Sequence, residues 1–152
     1  MKILLATDGS APSKAMVKKF AGRTFAPNTK VRIISIYEMA PRIMYLDPIG
    51  ISNEYYAIAD KDLLQSAQDA IENAATTLHK RNPKLSISSA AIKGSPKSVI
   101  LKEAETFGAN LIVVGSHGHG AVAGFLLGSV SQAVALHARC SVEIVRNEKA
   151  KK

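Results

Sequence analysis

Short, uninterrupted apolar runs alternate with segments of helical period from one end of this chain to the other, and this alternation limits the fold more than any other feature. Lys2 to Thr7 (KILLAT), Val31 to Tyr37 (VRIISIY), Asn110 to Val114 (NLIVV) and Ser141 to Val145 (SVEIV) read as strands. Continuous apolar character over a few residues suits strands covered on both faces, as in parallel sheets. Leu85 to Ile92 instead alternates small polar and apolar residues and reads as a more exposed strand. Strands separated in this way by helices favour a parallel sheet with helices on both faces, joined by right-handed crossovers. The pattern therefore predicts a single doubly wound α/β domain with five strands.

Local signals punctuate the intervening helices. Ser10 is a good N-cap with Pro12 in the first turn, Val17, Phe20, Ala21 and Thr24 supply one face, and Pro27-Asn28 breaks the helix. Leu64, Ala67, Ile71, Ala74, Ala75 and Leu78 recur at helical spacing until Asn82-Pro83. Ser95-Pro96 opens a third helix lined by Ile100, Ala104 and Phe107, and Gly108 suits the left-handed position just past its end. Ser129-Val130-Ser131-Gln132 has the form of a capping box opening the last helix, whose apolar face is Val130, Ala133, Val134 and Ala138. Glu38 to Ala59, with Pro41, Pro48, Gly50 and Tyr45, Tyr55 and Tyr56, reads as one long irregular stretch of the kind used for lids and binding loops. Its tyrosines suit either a nucleobase or ribose, or a dimer interface.

Composition narrows the function. At 152 residues the chain fits one domain, which we place at 1–147 with a basic tail over 148–152. No apolar run approaches the roughly 18 residues of a membrane span, and the opening MKILLA stops at Asp8 without a cleavage-type context, so a cytoplasmic protein is expected. The one cysteine, Cys140, fits a reducing compartment and reads as a small buried apolar residue. The net charge of +8 invites polyanions, but the cations are scattered and aromatics are only 5% of the chain. Base-stacking platforms need more aromatic residues among the basic ones, so nucleic acid is a poor candidate partner.

In an open α/β sheet, ligands lie beyond the carboxyl ends of the strands where the strand order reverses. Two segments stand at such ends: Thr7-Asp8-Gly9-Ser10 after the first strand, and the glycine-rich stretch Gly115 to Gly128 after the fourth. Glycines admit close approach of backbone N–H groups to an anion and tolerate positive φ where the chain curls. Gly128-Ser129 leads into a helix N-terminus, where unpaired N–H groups and the helix dipole favour phosphate. The chain contains no G-x-x-x-x-G-K-[ST] sequence and no G-x-S-x-G nucleophile elbow. Gly118-His119-Gly120-Ala121-Val122-Ala123 matches a loose dinucleotide fingerprint but follows the wrong strand and does not lead straight into a helix. His117 and His119 lack a third ligand at useful spacing, so no metal site is expected.

Gly115, Gly118, Gly128 and Ser129 reproduce the spacing glycine, two residues, glycine, nine residues, glycine, serine or threonine. With Thr7-Asp8-Gly9-Ser10 and Gly128-Ser129-Val130-Ser131, this array resembles the ATP-binding branch of the universal stress protein family over almost the whole chain. The resemblance implies a five-stranded parallel sheet in the order 3-2-1-4-5. It also implies that Asp8 contacts the adenosine part, with Ala6 and Thr7 beside it and the backbone near Ile36 contributing. Gly115 and Gly118 would lie under ribose and phosphates with Val114 and His117 nearby, and Gly128, Ser129, Val130 and Ser131 would hold the phosphates. The ligand implied is ATP, or AMP or ADP, with Mg²⁺ on the phosphates, in a regulatory switch that forms a homodimer through its C-terminal strand. Two departures are visible: His119 is the only basic residue between the second and third glycines, and Ser141 and Glu143 stand where the family usually has proline and an apolar residue. Very slow ATP hydrolysis, and a dimeric interaction protein with a vestigial site, are the alternative functions; no catalytic constellation is visible.

Overall fold

A computed structural model of the chain describes residues 1–38, 53–116 and 127–146. Its elements run β1 (Lys2–Ala6), α1 (Ala11–Ala21), β2 (Lys30–Tyr37), α2 (Asn53–Arg81), β3 (Ser86–Lys93), α3 (Pro96–Phe107), β4 (Leu111–Gly115), α4 (Ser129–His137) and β5 (Ser141–Val145). All four strand pairings are parallel, in the order β3-β2-β1-β4-β5. The expected fold class and strand order are thus those observed.

Because side chains alternate across a strand, each central strand feeds two cores. Ile3 and Leu5 of β1 face α1 and α2, where they join Val17, Phe20, Val31, Ile33, Ile71 and Leu78. Leu4 and Ala6 face the other way, with Ile34, Ile100, Ile112, Val114 and Val134 under α3 and α4. Leu78 and Phe20 are almost wholly enclosed, and each such side chain contributes about 1.5–3 kcal/mol of transfer free energy. The outer strand β3 is only partly covered, as its alternating sequence predicts.

Several local signals differ from their sequence reading. Helix α1 ends at Ala21, before Thr24 and Pro27, where the Gly22 N–H donates to the Lys19 carbonyl at 3.3 Å and the Arg23 N–H to that of Phe20 at 3.2 Å. Asn28, not a glycine, takes the positive φ of 62° in the turn that follows. The expected irregular stretch is helical from Asn53 onward, so Tyr55, Tyr56 and Ala59 belong to α2, while 39–52, including Tyr45, lies outside the described residues. Helix α2 has 29 residues, but the first buried one among those whose burial is described is Ala67. At about 1.5 Å per residue, its first turns overhang the strand ends, tied to β3 by the ion pair of Lys93 with Asp60. Ser95 is the N-cap of α3 without a side-chain capping bond, whereas Gly108 takes the expected left-handed conformation at φ 66°.

The capping box expected at Ser129 is absent. Gly128 is the N-cap of α4 and Ser129 is its first helical residue.

Candidate functional site

Strands β1 and β4 are neighbours, yet the chain leaves them toward opposite faces of the sheet, through α1 and through α4. At such a reversal of strand order, the carboxyl ends of the strands border the crevice in which open α/β sheets hold their ligands. Thr7 to Ser10 stand at the carboxyl end of β1, and Gly115, Ser116 and the start of α4 at that of β4, while 117–126 lies outside the described residues.

On the β1 side, the Thr7 N–H donates to the Ile34 carbonyl at 2.9 Å, extending the β1–β2 pairing past the strand end. The buried Thr7 hydroxyl lies 2.7 Å from that of Ser13, which also accepts from the Asp8 N–H at 3.3 Å. Oδ1 of Asp8 accepts from the Ser10 N–H at 3.0 Å and from the Ser10 hydroxyl at 2.6 Å. The Ser10 Oγ in turn caps α1 by accepting from the Ser13 N–H at 3.3 Å. A carboxylate held in this way is a fixed, half-buried acceptor, suited to the hydroxyls of a ribose or an exocyclic amine. Gly9 permits the turn with φ +74°, and a Cβ built on it would stand 3.0 Å from Cβ of Ala70 on α2. Ser10 and Ser13 complete this network. The sequence places Ser10 both in the strand-end segment and as the cap of α1, but does not single out Ser13, whose signal is its spacing of three residues from the cap.

On the β4 side, Gly115 is the last residue of the strand, in register with Val145. Its backbone is ordinary: among the described residues positive φ at glycine is confined to Gly9, Gly94 and Gly108. The Ser116 carbonyl accepts from the Gly128 N–H at 2.7 Å. The buried Ser131 hydroxyl reaches the same carbonyl at 3.2 Å and that of Gly128 at 2.9 Å. This clasp sets the first turn of α4 directly beside the end of β4. It also commits the Gly128 N–H, so the groups left to an anion belong to Ser129, Val130 and Ser131. The first-turn N–H groups of a helix have no carbonyl one turn back to engage, and this turn carries no acidic residue to compete with an anion.

Ala6, Val114, Ile36 and Val130 share the α3/α4 face. Ala6 and Val114 are nearly enclosed, leaving the partly exposed Ile36 and Val130 as apolar surface beside the crevice. The structure thus places Ala6, Thr7, Asp8, Ile36, Val114, Gly115, Gly128, Ser129, Val130 and Ser131 toward the carboxyl ends of β1, β2 and β4 and the start of α4, while His117 and Gly118 lie outside the described residues. Among the described residues no group of histidine, cysteine or carboxylate side chains is arranged to hold a metal ion. The set combines an oriented carboxylate, apolar side chains and an acid-free helix start, the kinds of group from which small-ligand and phosphate sites are built.

Glu143 on the edge strand β5 has its partner within the chain. It forms a two-pronged ion pair with Arg23 just beyond α1, and this bond holds the guanidinium pKa above its ordinary value. The Arg23 guanidinium also lies 5.5 Å from the centre of the Phe20 ring.

The pattern of the universal stress protein family matches residues 1–146. A Staphylococcus haemolyticus protein named for that family is 30% identical over 147 residues, 96% of this chain and 84% of its own. The solved structure of the protein MJ0577 superposes with a TM-score of 0.79 at 23% identity, covering 98% of this chain and 97% of the other. A universal stress protein solved in complex with cAMP is 25% identical, with a TM-score of 0.61 and coverage of 96% of each chain. With the strand order, the divergence at β1 and β4 and the glycine-serine array in place, this chain belongs to the universal stress protein family.

Proposed function

We propose that the chain is an adenine-nucleotide-binding regulatory module whose crevice between β1 and β4 takes AMP or ATP, the latter with Mg²⁺ on its phosphates. The observation that carries this reading is the pairing of an oriented carboxylate at Asp8 with the acid-free first turn of α4 across the point where the connections diverge. The cAMP complex of a family member supports the adenosine part of the assignment. ATP is preferred because the helix start offers several N–H groups to a phosphate chain. In this reading His117 and Gly118 complete the site from the segment after Ser116, and the ligand biases that segment rather than undergoing rapid chemistry.

Occupancy is read out in the cytoplasm through a second copy of the chain. Within the described residues β5 pairs only with β4, and Glu143 is held toward α1 rather than at the outer edge. That edge is open to an identical strand. The domain spans 1–147 and the basic tail follows it.

The test is equilibrium binding of radiolabelled ATP and AMP to the parent chain, Asp8→Ala and Gly128→Val. Asp8→Ala should weaken both ligands. Gly128→Val should weaken ATP more than AMP, since crowding at the helix start touches the phosphate chain first. Unchanged affinity in both variants rejects the site.

A further inference from the structure

The outer layer holds a second feature, separate from the crevice. A groove of about 670 Å³ runs between α1 and α2 from Thr7 and Ala70 toward the far end of α2, and Lys14, Lys18, Lys80 and Arg81 line it. Among the described residues its lining contains neither a carboxylate nor an aromatic ring. Elsewhere on the surface, Arg23, Arg32, Lys93 and Arg139 each reach a carboxylate. Among the described residues, the four groove cations take part in no such ion pair.

Helix electrostatics account for part of this arrangement only. Lys18 lies in the last turn of α1, and Lys80 and Arg81 in the last turn of α2, where a cation is favoured by the helix dipole. Lys14 is different: it lies near the start of α1, where the dipole disfavours positive charge and whose first turn holds no acidic residue. Lys14 and Lys18 are also four residues apart on one helix, a spacing at which like charges repel. Lys14 and its spacing to Lys18 thus run against local preference, and an anion in the groove would relieve that repulsion.

We infer that the α1/α2 groove is a second anion site, taking a compact, multiply phosphorylated small ligand. The volume falls in the range of small-ligand sites, roughly 300–1,000 Å³. The described lining residues offer no aromatic ring to stack a base, so recognition rests on phosphate. Asn73 and Thr77 turn their side chains back to carbonyls of α2, so the cations are the main donors left for the ligand. Among the described residues the two sites share Thr7, whose side chain is already committed to Ser13.

The test is a ¹H–¹⁵N NMR titration of the full chain with inorganic tripolyphosphate, repeated on the Lys18→Ala/Lys80→Ala double variant. Both side chains are exposed, so the variant should keep its melting temperature. The expected result is saturable shifts of the Lys14, Lys18, Lys80 and Arg81 amides that weaken as salt screens the site. In the double variant the affinity read at these amides should fall at least about tenfold, because charge-assisted bonds carry the binding. Shifts at Ser129 to Ser131 that persist in the double variant would report phosphate at the crevice and leave the second site standing. Shifts confined to Ser129 to Ser131 in the parent chain, or groove affinity unchanged by the double substitution, overturn it.

Discussion

Replacing Gly9 with alanine adds one methyl group at the turn that orients Asp8, and the structure allows its cost to be worked out. The residue has φ +74°, and the added Cβ would stand 3.0 Å from Cβ of Ala70. Left-handed backbone costs an L-residue about 1–2 kcal/mol. Overpacking against a backbone-anchored methyl, which cannot rotate aside, adds about 1–3 kcal/mol. The stiffer unfolded chain returns about 0.4–1 kcal/mol. The net penalty centres near about 3 kcal/mol, and for a chain of this size that lowers the melting temperature by about 6–12 °C. Urea unfolding of Gly9→Ala, Ala70→Gly and the double variant separates the two causes. Ala70→Gly alone costs about 1 kcal/mol of helix propensity, but it removes the opposing methyl. In that background Gly9→Ala should lose only the backbone part, giving a favourable coupling of about 1–3 kcal/mol, the share assigned to overpacking. Penalties that add to within about 0.5 kcal/mol would refute the steric account.

Other perturbations probe different layers. Leu78→Ala, at a fully enclosed position of α2, should cost about 2–5 kcal/mol in urea unfolding. Ser131→Ala removes the hydroxyl that reaches the Ser116 and Gly128 carbonyls. The Gly128 N–H still satisfies Ser116, so the stability loss should be only about 0.5–1.5 kcal/mol, while ATP affinity measured by dialysis falls. Burial raises the Cys140 thiol above its ordinary pKa, so at neutral pH iodoacetamide should modify it more slowly in the folded chain than in urea. The sign of the stability effect follows: the contribution is complete below the unfolded thiol's pKa and is lost as pH rises through the folded one.

The central architecture was legible because its strands are covered on both faces and therefore carry continuous apolar runs. Ser141–Val145 has the same bounds in sequence and structure. Legibility failed where burial stopped supplying a pattern. The first turns of α2 overhang the sheet with Tyr55 and Ile58 exposed, so no apolar period marked them as helix. At α4 the capping motif pointed one residue too late, because a glycine can serve as N-cap without any side chain to advertise it. For the site, the strand ends and the helix start were readable from spacing. The Ser116 clasp was not, since a backbone carbonyl leaves no trace in residue type. The pairing of Arg23 with Glu143, 120 residues apart, was equally out of reach: only the fold brings the end of α1 beside β5.

The most direct measurement is a calorimetric titration of Mg·ATP into nucleotide-stripped protein, with Asp8→Ala alongside. The account predicts saturable binding near one ligand per chain, weakened in the variant. No heat of binding up to millimolar Mg·ATP, or equal affinity with and without the Asp8 carboxylate, would contradict it.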